Sequence, residues 1–265
     1  MKKNSKQEMI LEAIIKAYLE ESLPVGSNEL QAKMAIEISA STIRSYFQKL
    51  SGEGILMQLH ISGGRIPTVK ALRDYWLTKL EVNNPIVLKT LPQVRNTVKE
   101  FGLYCVLEFN ENEVLKEVLA VSDRYILLVF SSEEVTISYS SEAFGFLNSL
   151  IGIGIYDLRA LANRVGFSEL CLKLDKMMVG KVLFQEGEEV LYEMAKENEN
   201  RFLYNFFKDL RSILELDEGI YFERIVPDGY MAVKQRAKVG GADAKMLCLG
   251  RLNTDFESFF NKAKE

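Results

Sequence analysis

Residues 39–67 read SASTIRSYFQKLSGEGILMQLHISGGRIP, and this stretch decides the fold of the N-terminal part of the chain. Ser39 has the side chain and position of a helix N-cap. Apolar side chains then recur at helical spacing, at Ile43, Phe47 and Leu50. Gly52 favours a helix end, Ile55–Leu59 predicts a strand, and Ser62–Arg65 predicts a tight turn. This order is typical of a recognition helix followed by a wing.

The polar side chains of the predicted helix fall on the face opposite its apolar stripe. They are Ser41, Thr42, Arg44, Ser45, Gln48 and Lys49. Small hydroxyl residues suit this face because a major groove about 12 Å wide admits a helix only when its leading side chains are not bulky. Arg65 on the predicted tip can enter an adjacent minor groove, where the negative potential is focused. We therefore predict DNA contacts from those six residues and from Ser39, His60, Ser62, Gly63, Gly64, Arg65 and Lys70.

The segments around this stretch complete a helix-turn-helix plan. Apolar residues recur at helical spacing from Ile10 to Leu19, and the pattern ends at Pro24. Ser27 is predicted to be the N-cap of a short second helix. After the wing, Thr68 is predicted to cap a further helix. We expect this winged helix-turn-helix domain to span residues 1–80.

Charge is distributed unevenly along the 265-residue chain, whose formal net charge is −4. Residues 1–80 contain 11 Lys and Arg against 8 Asp and Glu, whereas the remainder contains 22 against 29. The first segment is therefore the part of the chain that is suited to meeting phosphates.

Several function classes are disfavoured by the composition. His60 is the only histidine, which disfavours a histidine-built metal site and most histidine-dependent catalytic pairs. The three cysteines are far apart in sequence and show no CxxC spacing, so buried free thiols are expected at Cys105, Cys171 and Cys248. No catalytic constellation is found, and we expect no enzyme activity, metal or cofactor. No apolar run is long enough to predict a membrane span or a signal peptide, so a cytoplasmic protein is expected.

The rest of the chain predicts a mixed α+β region. Short apolar or alternating runs separated by polar residues predict strands between residues 103 and 139, and strand signals return after residue 219. Residues 81–101 are predicted to form a linker helix. The segment Arg201–Leu214 carries apolar residues on two adjacent helical stripes, which favours a subunit interface about as much as a buried helix. The predicted interface residues are Phe202, Leu203, Phe206, Phe207 and Leu210.

Four blocks of the sequence resemble the HrcA family of bacterial heat-inducible transcription repressors. They are PVGSNEL at Pro24–Leu30, ISASTIRSYFQKLSGEGIL at Ile38–Leu56, HISGGRIPT at His60–Thr68 and, more distantly, LNSLIGIGIYDLRAL at Leu147–Leu161. Arg73 and Tyr75 also fit the family pattern. The chain departs from that pattern at Ser45, where the family has asparagine, and at Gly63, where it has alanine.

The resemblance implies a multidomain α+β protein. A GAF-like α/β domain is expected over residues 102–150 and 215–265, with an inserted dimerisation domain at residues 151–214. The resemblance also implies a homodimer that binds double-stranded DNA at an inverted-repeat operator, the CIRCE element. It further implies that a GroEL-type chaperonin controls how much active repressor is present.

Two other interpretations remain open on the sequence alone. A metabolite-sensing winged-helix regulator would bind an effector in its GAF-like domain. A winged-helix scaffold would contact protein partners and no DNA.

Overall fold

The computed structural model describes residues 6–34, 37–60, 63–109, 113–179, 182–208, 216–223 and 225–264. The helices in these residues are α1 Lys6–Glu21, α2 Ser27–Lys33, α3 Ala40–Gly52, α4 Val69–Lys79, α5 Leu91–Phe101, α6 Ser141–Asn148, α7 Ile155–Arg164, α8 Ser168–Val179, α9 Glu188–Glu197, α10 Arg201–Lys208 and α11 Phe256–Ala263. The strands are β1 Leu56–Met57, β2 Ile66–Pro67, β3 Ile86–Leu88, β4 Tyr104–Phe109, β5 Glu117–Val121, β6 Tyr125–Val129, β7 Glu134–Ser138, β8 Val182–Glu186, β9 Gly219–Tyr221, β10 Tyr230–Val239 and β11 Ala242–Arg251. The chain is therefore a mixed α+β protein, as its sequence predicts.

Helices α1, α2 and α3 pack around one apolar core with strand β1. The apolar side chains at the predicted helical spacing of α3, Ile43, Phe47 and Leu50, are all buried in this core. The N-cap of α3 is Ser39, as predicted, and its Oγ accepts the backbone N–H of Thr42 at 3.2 Å. The amphipathic pattern therefore predicted both the start and the buried face of α3 correctly.

Helix α2 begins differently from the sequence-based prediction. Its N-cap is Gly26, whose backbone N–H donates to the Glu29 carboxylate at 3.3 Å, and Ser27 is the first helical residue. Because Glu29 reaches back to the cap residue, the helix end does not need the Ser27 hydroxyl. That hydroxyl is free to bond elsewhere.

Helix α4 joins the N-terminal helices to the large sheet. Trp76 is fully buried, and its Nε1–H donates to the Leu252 carbonyl at 2.8 Å. The side chains of Ile15 and Leu19 from α1 belong to the same apolar core as strands β3, β4, β10 and β11. The Arg73 guanidinium also pairs with the carboxylates of Glu223 and Asp228. A continuous core therefore crosses the predicted domain boundary at residue 80.

The large sheet has six strands in the order β3–β10–β11–β4–β8, with β9 also paired to β10. Strand β3 and helix α5 lie in the segment predicted as a linker, but β3 pairs with β10 and α5 packs against the sheet. Cys105 and Cys248 occupy opposite positions on β4 and β11, and their sulfur atoms are 3.4 Å apart. All three cysteines are free thiols; Cys105 and Cys248 are buried as expected, whereas Cys171 is only half-buried. Burial raises the pKa of Cys248.

A second, three-stranded antiparallel sheet is formed by β5, β6 and β7. Its inner face shares one core with helices α6, α7 and α8. These strands were assigned from the sequence to the first half of the GAF-like domain, and the predicted boundary at residues 150 and 151 cuts through this core. Strand β8 then returns the chain to the large sheet by pairing with β4. The domain boundaries drawn from the sequence stay a prediction.

A polar cluster lies where α7 meets the large sheet. Glu108 and Lys234 are each only 3% exposed, on strands β4 and β10. Burial raises the pKa of Glu108, and burial together with the nearby Lys245 ammonium lowers the pKa of Lys234 to about 8. Tyr156 of α7 donates a hydrogen bond to Glu108 Oε1 at 3.3 Å, while Glu108 Oε2 is buried without a partner in the structure.

Candidate nucleic-acid interface

One face of helix α3 is exposed along its length. Every predicted contact residue of this helix is solvent-exposed: Ser39, Ser41, Thr42, Arg44, Ser45, Gln48 and Lys49. We call these residues, together with His60, Gly63, Gly64 and Arg65 of the neighbouring hairpin, the recognition surface. Ser62 lies outside the described residues.

The start of the recognition surface is a cluster of hydroxyl groups. Ser39 Oγ lies 2.8 Å from Ser41 Oγ and 2.9 Å from Thr42 Oγ1. Ser45 Oγ donates to the Ser41 carbonyl at 3.3 Å, within the same helix. Each hydroxyl can rotate and exchange these local bonds for bonds to a phosphate oxygen or a base edge. The cluster is therefore small, polar and able to donate hydrogen bonds.

Arg44 is held against the first residues of α2. Its Nε–H donates to Ser27 Oγ at 3.0 Å, and its Nη2 lies 3.5 Å from Asn28 Oδ1. Both partners are neutral, so they leave the positive charge of the guanidinium uncompensated. The preference of serine for helix starts predicted Ser27 as an N-cap. That preference gives no indication that Ser27 accepts a hydrogen bond from Arg44.

The hairpin formed by β1 and β2 is attached to the segment that precedes α2. Val25 and Arg65 exchange two backbone hydrogen bonds, each 2.9 Å long. A Cβ on Gly64 would lie 2.5 Å from the backbone carbonyl group of Val25, which is closer than real Cβ contacts allow. Only glycine therefore permits this approach, which brings Arg65 beside the start of α2.

A cleft of about 560 Å³ opens between the start of α2, helix α3 and the hairpin. Five predicted contact residues line it: Arg44, Gln48, Gly63, Gly64 and Arg65. Ser27, Asn28 and Gln58 line it as well, and the sequence-based prediction missed them. The Gln58 amide donates to the Gly63 carbonyl at 3.3 Å, which links the two arms of the hairpin.

The remaining predicted contact residues lie outside this cleft. His60 is exposed on the hairpin, and its carbonyl accepts the Gly63 N–H at 2.9 Å. Lys49 Nζ lies 4.0 Å from Glu53 one turn further along α3. Lys70 lines a separate cleft between α1 and α4, which is also lined by Glu8 and Glu12. The structure thus does not bring Lys70 together with the arginines.

The residues predicted to form a subunit interface differ in their exposure. Phe202 is 70% exposed on α10, whereas Leu203 and Phe206 are half-buried. Phe207 is fully buried in its own chain, where its carbonyl accepts a hydrogen bond from the Tyr104 hydroxyl at 3.0 Å. Its place in the predicted interface is therefore wrong, because it has no surface to offer a partner. Leu210 lies outside the described residues.

A second apolar surface is the outer face of the β5–β6–β7 sheet. Leu119 and Val121 are 45% and 43% exposed, and Tyr125 is 51% exposed. Cross-strand pairing places Leu119 opposite Leu127 and Val121 opposite Tyr125. We call these four residues the sheet face. The sequence predicted strands in this segment but did not single out this patch.

Among the described residues, no group of three or more His, Cys, Asp or Glu side chains could hold a metal ion. In the same part of the chain, no helix combines the length and apolar character needed to cross a bilayer.

A family model and the relatives of known name point to the same family. The family model of the HrcA C-terminal domain matches residues 76–265. The heat-inducible transcription repressor HrcA of Helicobacter pylori (strain ATCC 700392 / 26695) is 29% identical over 263 residues, which cover 98% of this chain and 95% of the relative. The protein of the same name from Chlamydia muridarum is 35% identical over 136 residues, which cover 51% of this chain and 35% of the relative.

A solved structure shares the fold. The crystal structure of a hypothetical protein superposes with a TM-score of 0.52 and 21% sequence identity, covering 99% of this chain and 98% of the other. That match concerns architecture alone. The family model spans more than half of the chain and the Helicobacter relative nearly all of it, so this chain belongs to the HrcA family.

Proposed function

We propose that this chain is a heat-inducible transcription repressor that binds an inverted-repeat CIRCE operator in double-stranded DNA as a homodimer. Helices α1–α3 and the β1–β2 hairpin would form a winged helix-turn-helix domain, with α3 in the major groove and the hairpin beside it. The observation that carries the proposal is the recognition surface, where exposed hydroxyl groups and Arg44 lie on one face of α3 and Arg65 lies next to them.

The charge of this region supports the proposal. Residues 1–80 carry an excess of three positive charges in a chain whose net charge is −4. Phosphate contacts provide most of the affinity of such proteins for DNA, and base contacts provide the choice of site. In this proposal Ser41, Thr42 and Ser45 contact base edges or phosphates near the start of α3.

A dimer is needed because an inverted repeat presents two identical half-sites related by a two-fold axis. We propose that the sheet face forms the dimer contact, since it is a continuous apolar patch that no part of the described chain covers. The α10 surface, with Phe202, Leu203 and Phe206, is the competing proposal. One of its predicted members, Phe207, is already buried within the chain.

Relief of repression is proposed to follow chaperonin availability. A GroEL-type chaperonin would keep the repressor in its active form, and misfolded proteins that occupy the chaperonin during heat stress would lower the amount of active repressor. Marginal stability makes such control effective, because a change of about 1.4 kcal/mol alters a folded-to-unfolded ratio tenfold.

A metabolite-sensing regulator is the second candidate function, and one observation favours it. Glu108 is buried on the large sheet with Oε2 lacking a hydrogen-bond partner in the structure. Buried carboxylate oxygens are normally paired, so an effector with a hydrogen-bond donor would satisfy this atom. In that case a small molecule, and not a chaperonin, would change the affinity for the operator.

The experiment that tests the proposal measures binding to a CIRCE-type duplex and to a scrambled duplex at two salt concentrations, with and without chaperonin. The repressor proposal expects salt-dependent binding, a clear preference for the CIRCE-type duplex and more active protein when chaperonin is present. A chain that binds neither duplex in a salt-dependent way would instead be a protein-interaction scaffold.

A further inference from the structure

Two arginines from different parts of the chain meet in the cleft of about 560 Å³ beside α3. Arg44 reaches it from the recognition helix, and Arg65 reaches it from the residue before β2. Gly64 makes this meeting possible, because its lack of a side chain lets the hairpin backbone pair with Val25. Two arginines thus line one cleft, and the backbone contact that places Arg65 there tolerates no side chain at Gly64.

Neither arginine has an ion-pair partner in the described part of the chain. Arg44 contacts only the neutral side chains of Ser27 and Asn28. Arg65 Nη1 lies 3.5 Å from the Gly63 carbonyl, and Arg65 Nε is buried without a partner in the structure. Positive charges that converge without a carboxylate between them repel each other, and an anion bound between them would relieve this repulsion.

Glu29 is the carboxylate that also lines the cleft, and it is already engaged. Its Oε2 accepts the Gly26 N–H at 3.3 Å, and its Oε1 lies 3.7 Å from Lys33 Nζ. The negative charge of Glu29 is therefore directed towards the backbone of its own helix and Lys33.

We propose that Arg44 and Arg65 together clamp one backbone phosphate of the DNA in each half-site. This inference rests on the proposed function and gives Arg44 a definite role, since it contacts the backbone and does not read a base. Ser27 is a positioning residue, because its hydroxyl holds the Arg44 guanidinium towards the cleft. Reading of the sequence then falls to Ser41, Thr42 and Ser45.

Arginine suits this task better than lysine, because its planar fork of N–H groups matches the oxygens of a phosphate. Two forks from opposite sides can engage one phosphodiester, which fixes where the duplex lies relative to α3. A fixed backbone contact of this kind sets the register in which neighbouring side chains meet the bases.

The test uses fluorescence anisotropy to measure affinity for an inverted-repeat duplex and for a scrambled duplex at salt concentrations from roughly 50 to roughly 300 mM. The proteins are wild type, Arg44→Ala, Arg65→Ala, the double variant and Lys16→Ala. Lys16 is an exposed lysine on α1 that pairs with Glu12, so its removal changes net charge equally without touching the cleft.

A phosphate clamp predicts that Arg44→Ala weakens binding to both duplexes by the same factor, about tenfold, and lowers the salt slope by about 0.9 for each half-site. Because the clamp needs both forks to hold its one phosphate, Arg65→Ala should lower the slope equally, and the double variant should lower it no further. Lys16→Ala should leave the slope unchanged.

Neutral methylphosphonates placed singly along the operator backbone locate the phosphate. Where a methylphosphonate replaces the clamped phosphate, at one position in each half-site, wild type and Arg44→Ala should bind with equal affinity, because the charge that Arg44 contacts is gone. Ser27→Ala should weaken binding about threefold, a loss expected for one hydrogen bond, and Ser27→Thr should restore it. Arg44→Gln serves as the second variant if Arg44→Ala shows an altered far-ultraviolet circular dichroism spectrum.

Some results would overturn the clamp while leaving the repressor proposal intact. A loss confined to the inverted-repeat duplex would make Arg44 a base reader, and a double variant with twice the slope change would assign the arginines to two phosphates. If wild type itself binds no duplex in a salt-dependent way, the proposed function fails, and the clamp fails with it.

Discussion

The recognition surface and the sheet face are both exposed, yet they are built in opposite ways. The recognition surface consists of short polar side chains and arginines, and its key groups are held by hydrogen bonds to neighbouring residues. The sheet face consists of apolar side chains placed opposite each other on two strands, with 43–51% exposure at Leu119, Val121 and Tyr125. A polar, preorganised surface suits a charged partner, and an apolar patch suits a second copy of the chain.

The difference also predicts how the two surfaces respond to the solution. Binding at the recognition surface should weaken steeply as salt rises, because it releases counterions from DNA. Association through the sheet face should be almost insensitive to salt, since it depends on the removal of apolar area from water. Three experiments on the surfaces and one on the interior test this contrast, from the largest expected effect to the smallest.

The largest effect is expected from Gly64→Val, which disrupts the recognition surface alone. The new Cβ would lie 2.5 Å from the Val25 carbonyl group, so the hairpin must move away from α2. We expect operator affinity to fall about 1,000-fold in a dimer with two half-sites, with the dimer mass unchanged.

Gly63→Ala is the matched control for that experiment. A Cβ at position 63 meets the His60 carbonyl at 3.2 Å, a tight contact that a small shift can relieve. Gel-shift titration should show at most a threefold change for this variant. Normal affinity of Gly64→Val would mean that the contact between hairpin and α2 does not support DNA binding.

The second largest effect is expected from Tyr125→Glu, which disrupts the sheet face alone. A carboxylate in an apolar contact between two copies must be dehydrated without a partner, so the variant should sediment as a monomer. Affinity for the full inverted repeat should fall about 100-fold, because two linked half-sites bind much more tightly than one. Affinity for a half-site should not change.

Leu172→Glu is the control for the sheet face, since Leu172 is an exposed leucine on α8, outside that patch. It should remain a dimer. A dimeric Tyr125→Glu protein would move the interface away from the sheet face.

A smaller effect concerns the interior, where neither surface changes. The pKa of Lys234 is lowered from its ordinary value of 10.5 to about 8 in the folded chain. Between these two pH values the unfolded chain therefore binds more protons than the folded chain. The free energy of unfolding should therefore rise with pH in this window, by about 1 kcal/mol between pH 8 and pH 9. Urea unfolding at the two pH values measures this rise, and Lys234→Met should abolish it.

The smallest effect is expected from Phe202→Glu on the competing α10 surface. Phe202 is 70% exposed and Phe207 of the same helix is already buried, so the charge can remain in water. Sedimentation and operator affinity should change less than about twofold. A shift to monomer would instead assign the dimer contact to α10.

Local patterns in the sequence predicted the recognition helix well. The cap residue Ser39 and the buried spacing of Ile43, Phe47 and Leu50 are properties of a single helix, and the structure confirms them. The role of Ser27 was missed because it depends on Arg44, a residue 17 positions away that approaches only after the helices pack.

The arrangement of the sheets could not be predicted in the same way. Cys105 and Cys248 are 143 residues apart in sequence, yet they face each other across neighbouring strands. Alternation predicts which face of a strand is buried, but it does not identify the neighbouring strand. For this reason the sequence did not show that β5–β7 share a core with α6–α8, and Phe207 was assigned to a surface when it packs within the chain.

The burial of Trp76 under Leu252 has a consequence for how the protein responds to heat. Side chains of α1 and α4 pack in the same apolar core as the large sheet, so the N-terminal helices are joined to the sheet by a shared core. In the proposed repressor, warming that loosens the large sheet would change the distance between the two DNA-binding domains of the dimer before those domains themselves unfold. Substitutions in the large sheet, far from the DNA bases, would then change the temperature at which repression is relieved.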